Sequence, residues 1–194
     1  MRIIFFDMFE EVIKHYPDFP KEGIDFIDVL PFLQDKKAFA EAVKEIDRCT
    51  TAPNVATVEA RGFLFAAPLL CCSKHVDAIV PIRKKGKLPH DEGDLQKVCI
   101  EKEYGSDEVF YRRSDLAACS VKGDTIELTL LDDLLATGGT AEGIAKALNG
   151  EVIDGKRVVV KEFVFLVELP ALGGRKVLES IAPVRSLMSL EGVE

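Results

Sequence analysis

The sequence lacks the spacing patterns with which cysteine and histidine bind metals. None of its five cysteines belongs to a C-x-x-C pair, and its three histidines, His15, His75 and His90, lie far apart in the chain. An odd number of cysteines without such spacing argues against structural zinc and against a disulfide framework. We therefore expect reduced cysteines, several of them in the core, as in a cytoplasmic protein.

Long apolar runs and an excess of basic residues are also missing. No apolar stretch approaches the roughly 20 residues that a membrane-spanning helix needs, and residues 1–10 carry no signal-peptide pattern. The formal net charge of −8 argues against nucleic acid or an anionic membrane as the main partner. The 194 residues, 47% hydrophobic and 30% charged, suit a single domain, residues 1–194, with a sizeable core and a cytoplasmic location.

Two common nucleotide-binding motifs, G-x-G-x-x-G and the Walker-type G-K-S/T, are absent as well. The chain has instead an apolar stretch that ends in Asp132 and Asp133, followed by the loop Ala136-Thr137-Gly138-Gly139-Thr140. Paired carboxylates suit the hydroxyls of a sugar, and a glycine–threonine loop at a helix start offers N–H groups and hydroxyls to a phosphate. The segment therefore suits ribose 5-phosphate, although such a loop alone could also be an ordinary strand-to-helix turn.

Patterns typical of buried strands alternate with helical patterns along the chain. This alternation predicts an α/β fold whose central, mostly parallel sheet is flanked by helices. Ligands of such sheets bind beyond the carboxyl ends of the strands, and each candidate group falls at such an end. The predicted strands are Asn54–Glu59, Asp77–Arg83, Gly123–Asp133 and Arg157–Leu169, and the predicted helices are Lys36–Arg48, Arg61–Leu70 and Ala141–Leu148.

The segment Asp132–Thr140 resembles the phosphoribosyl pyrophosphate motif of type I phosphoribosyltransferases, in the form found in adenine phosphoribosyltransferases. Four further segments resemble the same family: Tyr16–Asp28, Val58–Phe63, Pro81–Pro89 and Glu103–Gly105. The resemblance implies the type I phosphoribosyltransferase fold, with a small N-terminal hood at residues 1–34 and a mobile lid loop at residues 88–105. It also implies a cis peptide before Ala60.

The resemblance further implies a reaction and its participants. Adenine and phosphoribosyl pyrophosphate would give AMP and pyrophosphate through an oxocarbenium-like transition state, in a homodimer, with Mg²⁺ bound to the pyrophosphate and not directly to the protein. Glu103 would be the catalytic acid, next to Tyr104 in the lid. The implied ligand contacts are Asp132, Asp133, Ala136, Thr137, Gly138, Gly139 and Thr140 for ribose and its 5-phosphate; Ala60, Arg61, Arg83, Lys84 and Lys87 for pyrophosphate; and Asp25, Phe26, Ile27 and Leu169 for adenine.

The chain departs from the family pattern at three places. His90 stands where the family usually has glycine, Ile27 stands where many relatives have arginine, and residues 149–161 form a longer connection with Gly150 and Gly155 suggesting a turn. With Ile27, recognition of adenine would depend on backbone groups of the hood. Two rival functions stay open: transfer to a 6-oxopurine, which Phe26 and Glu103 argue against, and a noncatalytic ligand-sensing regulator, which would need a DNA-binding domain.

Overall fold

The computed structural model describes residues 8–102 and 105–191. Within them, no helix is long and apolar enough to cross a membrane. The strands are β1 (Lys14–Tyr16), β2 (Phe26–Asp28), β3 (Asn54–Val58), β4 (Ala78–Lys84), β5 (Leu95–Lys102), β6 (Gly105–Arg112), β7 (Thr125–Leu135), β8 (Val152–Ile153), β9 (Lys156–Glu168) and β10 (Val184–Ser189). The helices are α1 (8–12), α2 (Lys36–Cys49), α3 (Arg61–Cys72), α4 (Arg113–Ala117), α5 (Gly139–Asn149) and α6 (Gly174–Leu178), with 3₁₀ turns at Leu30–Gln34 and Pro170–Leu172.

Eight strands form the main sheet, in the order β10-β9-β7-β3-β4-β6-β5, with β8 paired to β9. The ladders from β10 to β4 are parallel, whereas β4–β6 and β6–β5 are antiparallel. The predicted mostly parallel central sheet is therefore confirmed. The strand β7, which carries the two aspartates, lies between β9 and β3.

Helices cover both faces of this sheet because its central strands are apolar on both sides. On one face, α5 packs against a cluster that includes Leu128 and Phe163. On the other face, α2 and α3 pack against a cluster that includes Leu131 and Val164. The helix α2 begins where the Asp35 carboxylate accepts hydrogen bonds from the N–H groups of Lys37 and Ala38, an N-cap that satisfies otherwise unpaired donors.

The register of the parallel strands brings their carboxyl ends to one edge. Val58 of β3 lies opposite Ile82 of β4, and Leu135 of β7 lies opposite Glu168 of β9. The segments that follow β3, β4, β7 and β9 therefore emerge side by side. This edge is where ligands bind in open α/β sheets.

The N-terminal segment adds a separate antiparallel pair, β1–β2, to the α2–α3 side. Phe9, Ile27 and Phe32 of this segment belong to the cluster on that face, so the predicted hood shares the core of the sheet. Within residues 88–105, the strand β5 pairs along its whole length with β6. The sequence analysis predicted neither strand. The mobility of the lid stays a prediction.

The longer connection after α5 forms a two-residue hairpin. Ile153 pairs with Lys156 across the turn, and Asp154 and Gly155 both have positive φ, 49° and 76°. Asp-Gly is typical of such turns because both central residues need the left-handed region. The turn suggested by Gly155 is thus confirmed, whereas Gly150 lies at the end of α5 with φ −81°.

Candidate active site

The loop after β7 leaves the first turn of α5 open to an anion. Gly138 adopts the left-handed conformation, φ 81° and ψ −8°, and no side chain caps the helix. The N–H groups at the start of α5 therefore remain available to an anionic ligand. One pocket is lined by Asp132, Leu134, Leu135, Ala136, Thr137, Gly138, Gly139, Thr140, Ala141 and Phe165.

The two aspartates have different surroundings although they are adjacent. Asp132 lines the loop pocket, and its Oδ1 accepts the Asp133 N–H at 2.9 Å. Asp133 is only 4% exposed, and its Oδ2 lies 2.8 Å from Arg61 Nε in an ion pair. Burial and, to a lesser extent, the charge of Asp133 raise the pKa of Asp132 well above its ordinary value. Asp132 thus lines this pocket, whereas Asp133 does not.

Arg61 links the carboxylate pair to the hood. Besides the ion pair with Asp133, its Cζ lies 5.3 Å from the centre of the Phe26 ring, and its Nη1 donates a long hydrogen bond, 3.5 Å, to the Ile27 carbonyl. A guanidinium can make such contacts together because it is planar, charged and has five donors. Its predicted contact with pyrophosphate stays a prediction.

Glu59 organises the basic segment at the end of β4. Its carboxylate accepts hydrogen bonds from Arg83 Nε and from the Lys84 N–H, both at 2.7 Å, while Arg83 Nη1 donates to the Lys87 carbonyl at 2.7 Å. Burial raises the pKa of Glu59, but these hydrogen bonds outweigh it and the pKa lies below its ordinary value. A charged Glu59 thus holds this basic segment in place. The side chains of Lys84 and Lys87 in the segment are exposed.

The peptide between Glu59 and Ala60 is cis, as predicted. Ala60 immediately precedes α3, which begins at Arg61 without a side-chain cap. The predicted pyrophosphate residues thus lie on two segments, Ala60 and Arg61 at the start of α3 and Arg83, Lys84 and Lys87 at the end of β4 and in the turn after it, and Glu59 connects the two.

The residues predicted to contact adenine differ in how much of each side chain is exposed. Phe26 is partly exposed and meets Phe19 edge to face, with ring centres 5.3 Å apart. Ile27 and Leu169 are 2% and 5% exposed, so Ile27 can offer a ligand little besides its backbone. The Asp25 carboxylate pairs with His15 Nδ1 at 2.7 Å.

Glu103 and Tyr104 lie outside the described residues, so the proposed acid stays a prediction. Three contributors were not identified from sequence: Glu59, the pocket residue Phe165 and the ion pair of Glu168 with Arg175. The position of Glu59 directly after a buried strand was a usable signal for the first. The place of Phe165 depends on strand register, and the pair of Glu168 with Arg175 is a contact that no local sequence pattern indicates.

Comparison with known proteins agrees with this geometry. A protein of Rhizobium meliloti (strain 1021) named adenine phosphoribosyltransferase is 39% identical over 184 residues, 93% of either chain. The structure of adenine phosphoribosyltransferase from Thermoanaerobacter pseudethanolicus has a TM-score of 0.79 and 35% identity, covering 95% of this chain and 99% of that one. The Saccharomyces cerevisiae adenine phosphoribosyltransferase, solved with adenine and an imino-altritol bisphosphate, has a TM-score of 0.73, 30% identity and the same two coverages, 95% and 99%. No family model matches the chain.

Proposed function

The chain belongs to the adenine phosphoribosyltransferases, and from this premise we propose how its sheet-edge site converts adenine and phosphoribosyl pyrophosphate to AMP and pyrophosphate. One observation carries the assignment of roles. A carboxylate pair near the end of β7, the partly buried Asp132 and the buried Asp133, is followed after a short loop by an uncapped helix start, which suits a ribose hydroxyl pair and a 5′-phosphate on one ligand.

The reaction breaks the bond from C1 of the ribose to pyrophosphate and forms a bond from C1 to N9 of the purine. The leaving pyrophosphate takes the electron pair, and Arg83, Lys84 and Lys87 supply positive charge for it. Glu103 exchanges a proton with purine N7, accepting it as AMP forms and donating it in the reverse direction. Asp132 accepts hydrogen bonds from the ribose hydroxyls, while the N–H groups at Gly139 and Thr140 hold the 5′-phosphate.

Adenine would lie against the Phe26 ring, with Leu169 on its other face. The 6-amino group of adenine is a donor, whereas hypoxanthine and guanine have a 6-oxo acceptor there. A backbone carbonyl in the segment Asp25–Ile27 would accept from the amine and oppose the oxo group. Sites that depend on such polar matching discriminate by about 10⁴-fold, which stacking alone does not achieve.

Magnesium fits this site as part of the substrate. Within residues 8–102 and 105–191, no three His, Cys, Asp or Glu side chains converge as metal ligands, whereas Asp132 offers a hard oxygen beside the ribose. Mg²⁺ prefers substrate phosphates, water and one or two carboxylates to an all-protein cage. Bound with phosphoribosyl pyrophosphate, it would neutralise charge on the leaving group.

A homodimer and a cytoplasmic location complete the proposal. An apolar groove lined by Phe63, Ala66, Ala67, Ile79 and Pro81 lies between α3 and β4, which supports a face for a second copy. The five cysteines are free thiols, as expected in a reducing compartment. Light scattering across a range of concentrations would test the dimer.

The experiment that tests the function is AMP formation from adenine and phosphoribosyl pyrophosphate, with hypoxanthine and guanine compared under the same conditions. We expect kcat/KM for adenine to exceed that for either 6-oxopurine by about 10⁴-fold. A ratio below tenfold would contradict backbone recognition in the hood. Absence of AMP formation with a folded, magnesium-supplied enzyme would contradict the function itself.

A further inference from the structure

An ion-pair cluster surrounds the buried carboxylate of Glu168, and none of its members was assigned a ligand contact above. Its members are Glu168, Arg175 and Ser186, which we call the carboxylate clamp. Arg175 Nε donates to Glu168 Oε1 at 2.8 Å, and its Nη2 donates to Oε2 at 2.5 Å. Ser186 Oγ donates to the same Oε2 at 2.5 Å and accepts from Arg175 Nη2 at 2.9 Å.

Every oxygen of the Glu168 carboxylate is therefore occupied by a donor within the clamp. Glu168 is only 3% exposed, and a buried carboxylate without a partner would be strongly destabilising. Burial raises the pKa of Glu168, but the hydrogen bonds from Arg175 and Ser186 outweigh it, so the pKa is lowered. The bidentate geometry also fixes the orientation of the guanidinium, because its Nε and its Nη2 each donate to a different carboxylate oxygen.

The clamp lies one residue away from two parts of the proposed site. Glu168 directly precedes Leu169, whose N–H donates to the Leu135 carbonyl at 2.9 Å. Arg175 directly follows Gly174, whose N–H donates to the Ala136 carbonyl at 3.1 Å. A side chain at residue 174 would overlap that carbonyl and lie 2.8 Å from the Gly138 nitrogen, so the backbone there touches the loop directly.

We propose that Glu168, Arg175 and Ser186 are positioning residues for the transfer reaction, which hold the purine-facing Leu169 and the 5′-phosphate loop in one fixed relation. The inference rests on the proposed function, since it assumes that these two segments contact adenine and the phosphate. A displaced loop would weaken binding of every ligand that carries the 5′-phosphate, and a displaced Leu169 would weaken binding of the base.

A role in the fold alone would be the competing explanation. The strands that the clamp connects are already joined by a parallel ladder from Val184–Phe163 to Ser189–Glu168, and Arg175 Nη1 also donates to the Val184 carbonyl at 2.9 Å. Stability and ligand affinity must therefore be measured separately. The chain offers variants that separate them.

The test compares Arg175→Met with the double variant Glu168→Gln/Arg175→Met. The single variant leaves a buried carboxylate without its cation, so both the melting temperature and substrate affinity should fall. The double variant also removes that charge and should recover the melting temperature. We expect KM for phosphoribosyl pyrophosphate to be raised about tenfold in both, with kcat within about threefold of the parent, because an interaction remote from the reacting carbon is lost.

Two further variants sharpen the comparison. Arg175→Lys keeps the positive charge but cannot form the bidentate pair with Glu168. Its KM for phosphoribosyl pyrophosphate should therefore lie between those of the parent and Arg175→Met. Glu179→Ala removes the exposed partner of the same guanidinium, which lies 3.3 Å from Arg175 Nη1, and should leave KM within about twofold of the parent.

Recovery of KM together with melting temperature in the double variant would overturn the proposal, as would an unchanged KM in Arg175→Met. If the parent forms no AMP, the proposed function fails, and the clamp is judged by calorimetric binding of ribose 5-phosphate. Weaker binding by the recovered double variant would then support the clamp, and affinity equal to that of the parent would refute it.

Discussion

Asp132 and Asp133 show how two adjacent carboxylates can have different surroundings. Arg61 neutralises Asp133 at 2.8 Å, whereas Asp132 faces the loop pocket. A desolvated carboxylate destabilises the free protein but accepts strong, charge-assisted hydrogen bonds from sugar hydroxyls. In the proposed function, ligand binding and protein stability are therefore opposed at Asp132.

This opposition predicts that Asp132→Asn stabilises the protein while weakening phosphoribosyl pyrophosphate binding. The pKa of Asp132 is raised in the folded state, so the folded protein binds more protons than the unfolded chain between about pH 4 and that raised pKa. Stability therefore falls as pH rises through this window, and the penalty persists above it. At neutral pH we expect a gain on the order of 1 kcal/mol in the free energy of unfolding.

The measurement is denaturant unfolding at neutral and acidic pH, combined with calorimetry of ligand binding. Asp124→Asn is the matched control because the Asp124 side chain is 75% exposed, and its change should stay within about 0.5 kcal/mol. The gain of Asp132→Asn should shrink towards acidic pH. A gain that grows on acidification would have the wrong sign for a raised pKa.

Glu103→Gln tests the proposed acid. The change removes an ionisable group assigned to the base, so kcat should fall on the order of 10²-fold or more while affinity for phosphoribosyl pyrophosphate is retained. Steady-state kinetics and calorimetry on the same preparation separate the two effects. A kcat within about threefold of the parent would mean that another group exchanges the proton.

At the scale of elements, a side chain at residue 62, in the first turn of α3, would crowd Thr57 and Asp132. A Cβ there would lie 2.5 Å from Thr57 Oγ1 and 3.0 Å from Asp132 Oδ1, closer than ordinary contacts. Gly62→Ala should therefore displace Asp132 or the helix start and reduce affinity for phosphoribosyl pyrophosphate by about tenfold or more. Steady-state kinetics with phosphoribosyl pyrophosphate as the varied substrate, together with thermal unfolding, would record the effect.

Gly143→Ala in α5 is the matched control for that variant. A Cβ at residue 143 would meet its nearest atom, Ile100 Cγ1, at 3.5 Å, which is an ordinary contact. Alanine in a helix interior is favoured over glycine by about 0.8–1.0 kcal/mol, so this variant should be more stable and fully able to bind ligand. Equal loss of affinity in both variants would show that the effect at residue 62 is not local.

The elements that sequence predicts are those with strong local signals. The helices α2, α3 and α5 and the strands β3, β4, β7 and β9 were all indicated by apolar periodicity, with ends within a few residues of those observed. The strand β7 continues to Leu135, past the aspartates. The short β1 and β2 and the polar β5 were not predicted, because their pairing depends on partners distant in the chain and not on their own composition.

The residues of the candidate site also fall into those that the sequence could predict and those that it could not. The loop Ala136–Thr140 and the aspartates could be predicted because one short segment contains them and a family resembles it. The contact of Arg61 with Asp133 and that of Arg175 with Glu168 could not, because each joins segments that only the packing of α3 or α6 against the sheet brings together.

On the scale of the whole molecule, Arg61 connects the hood to the sheet edge through polar contacts. Arg61 contacts Asp133, the Phe26 ring and the Ile27 carbonyl. A ligand that orders either end of this bridge should therefore favour the other. We expect bound ribose 5-phosphate to increase adenine affinity, and bound adenine to increase ribose 5-phosphate affinity by the same factor, about tenfold, since coupling is reciprocal.

Arg61→Lys should remove most of this coupling. A lysine ammonium can still pair with Asp133, but it is a point charge without the planar fork that also reaches Phe26 and the Ile27 carbonyl. The measurement is a four-sided calorimetric cycle with adenine and ribose 5-phosphate, which involves no pyrophosphate. Arg83→Lys is the control, because Arg83 contacts Glu59 and the Lys87 carbonyl and should leave the factor unchanged. A coupling factor that survives in Arg61→Lys, or disappears equally in Arg83→Lys, would mean that the hood and the sheet edge communicate by another route.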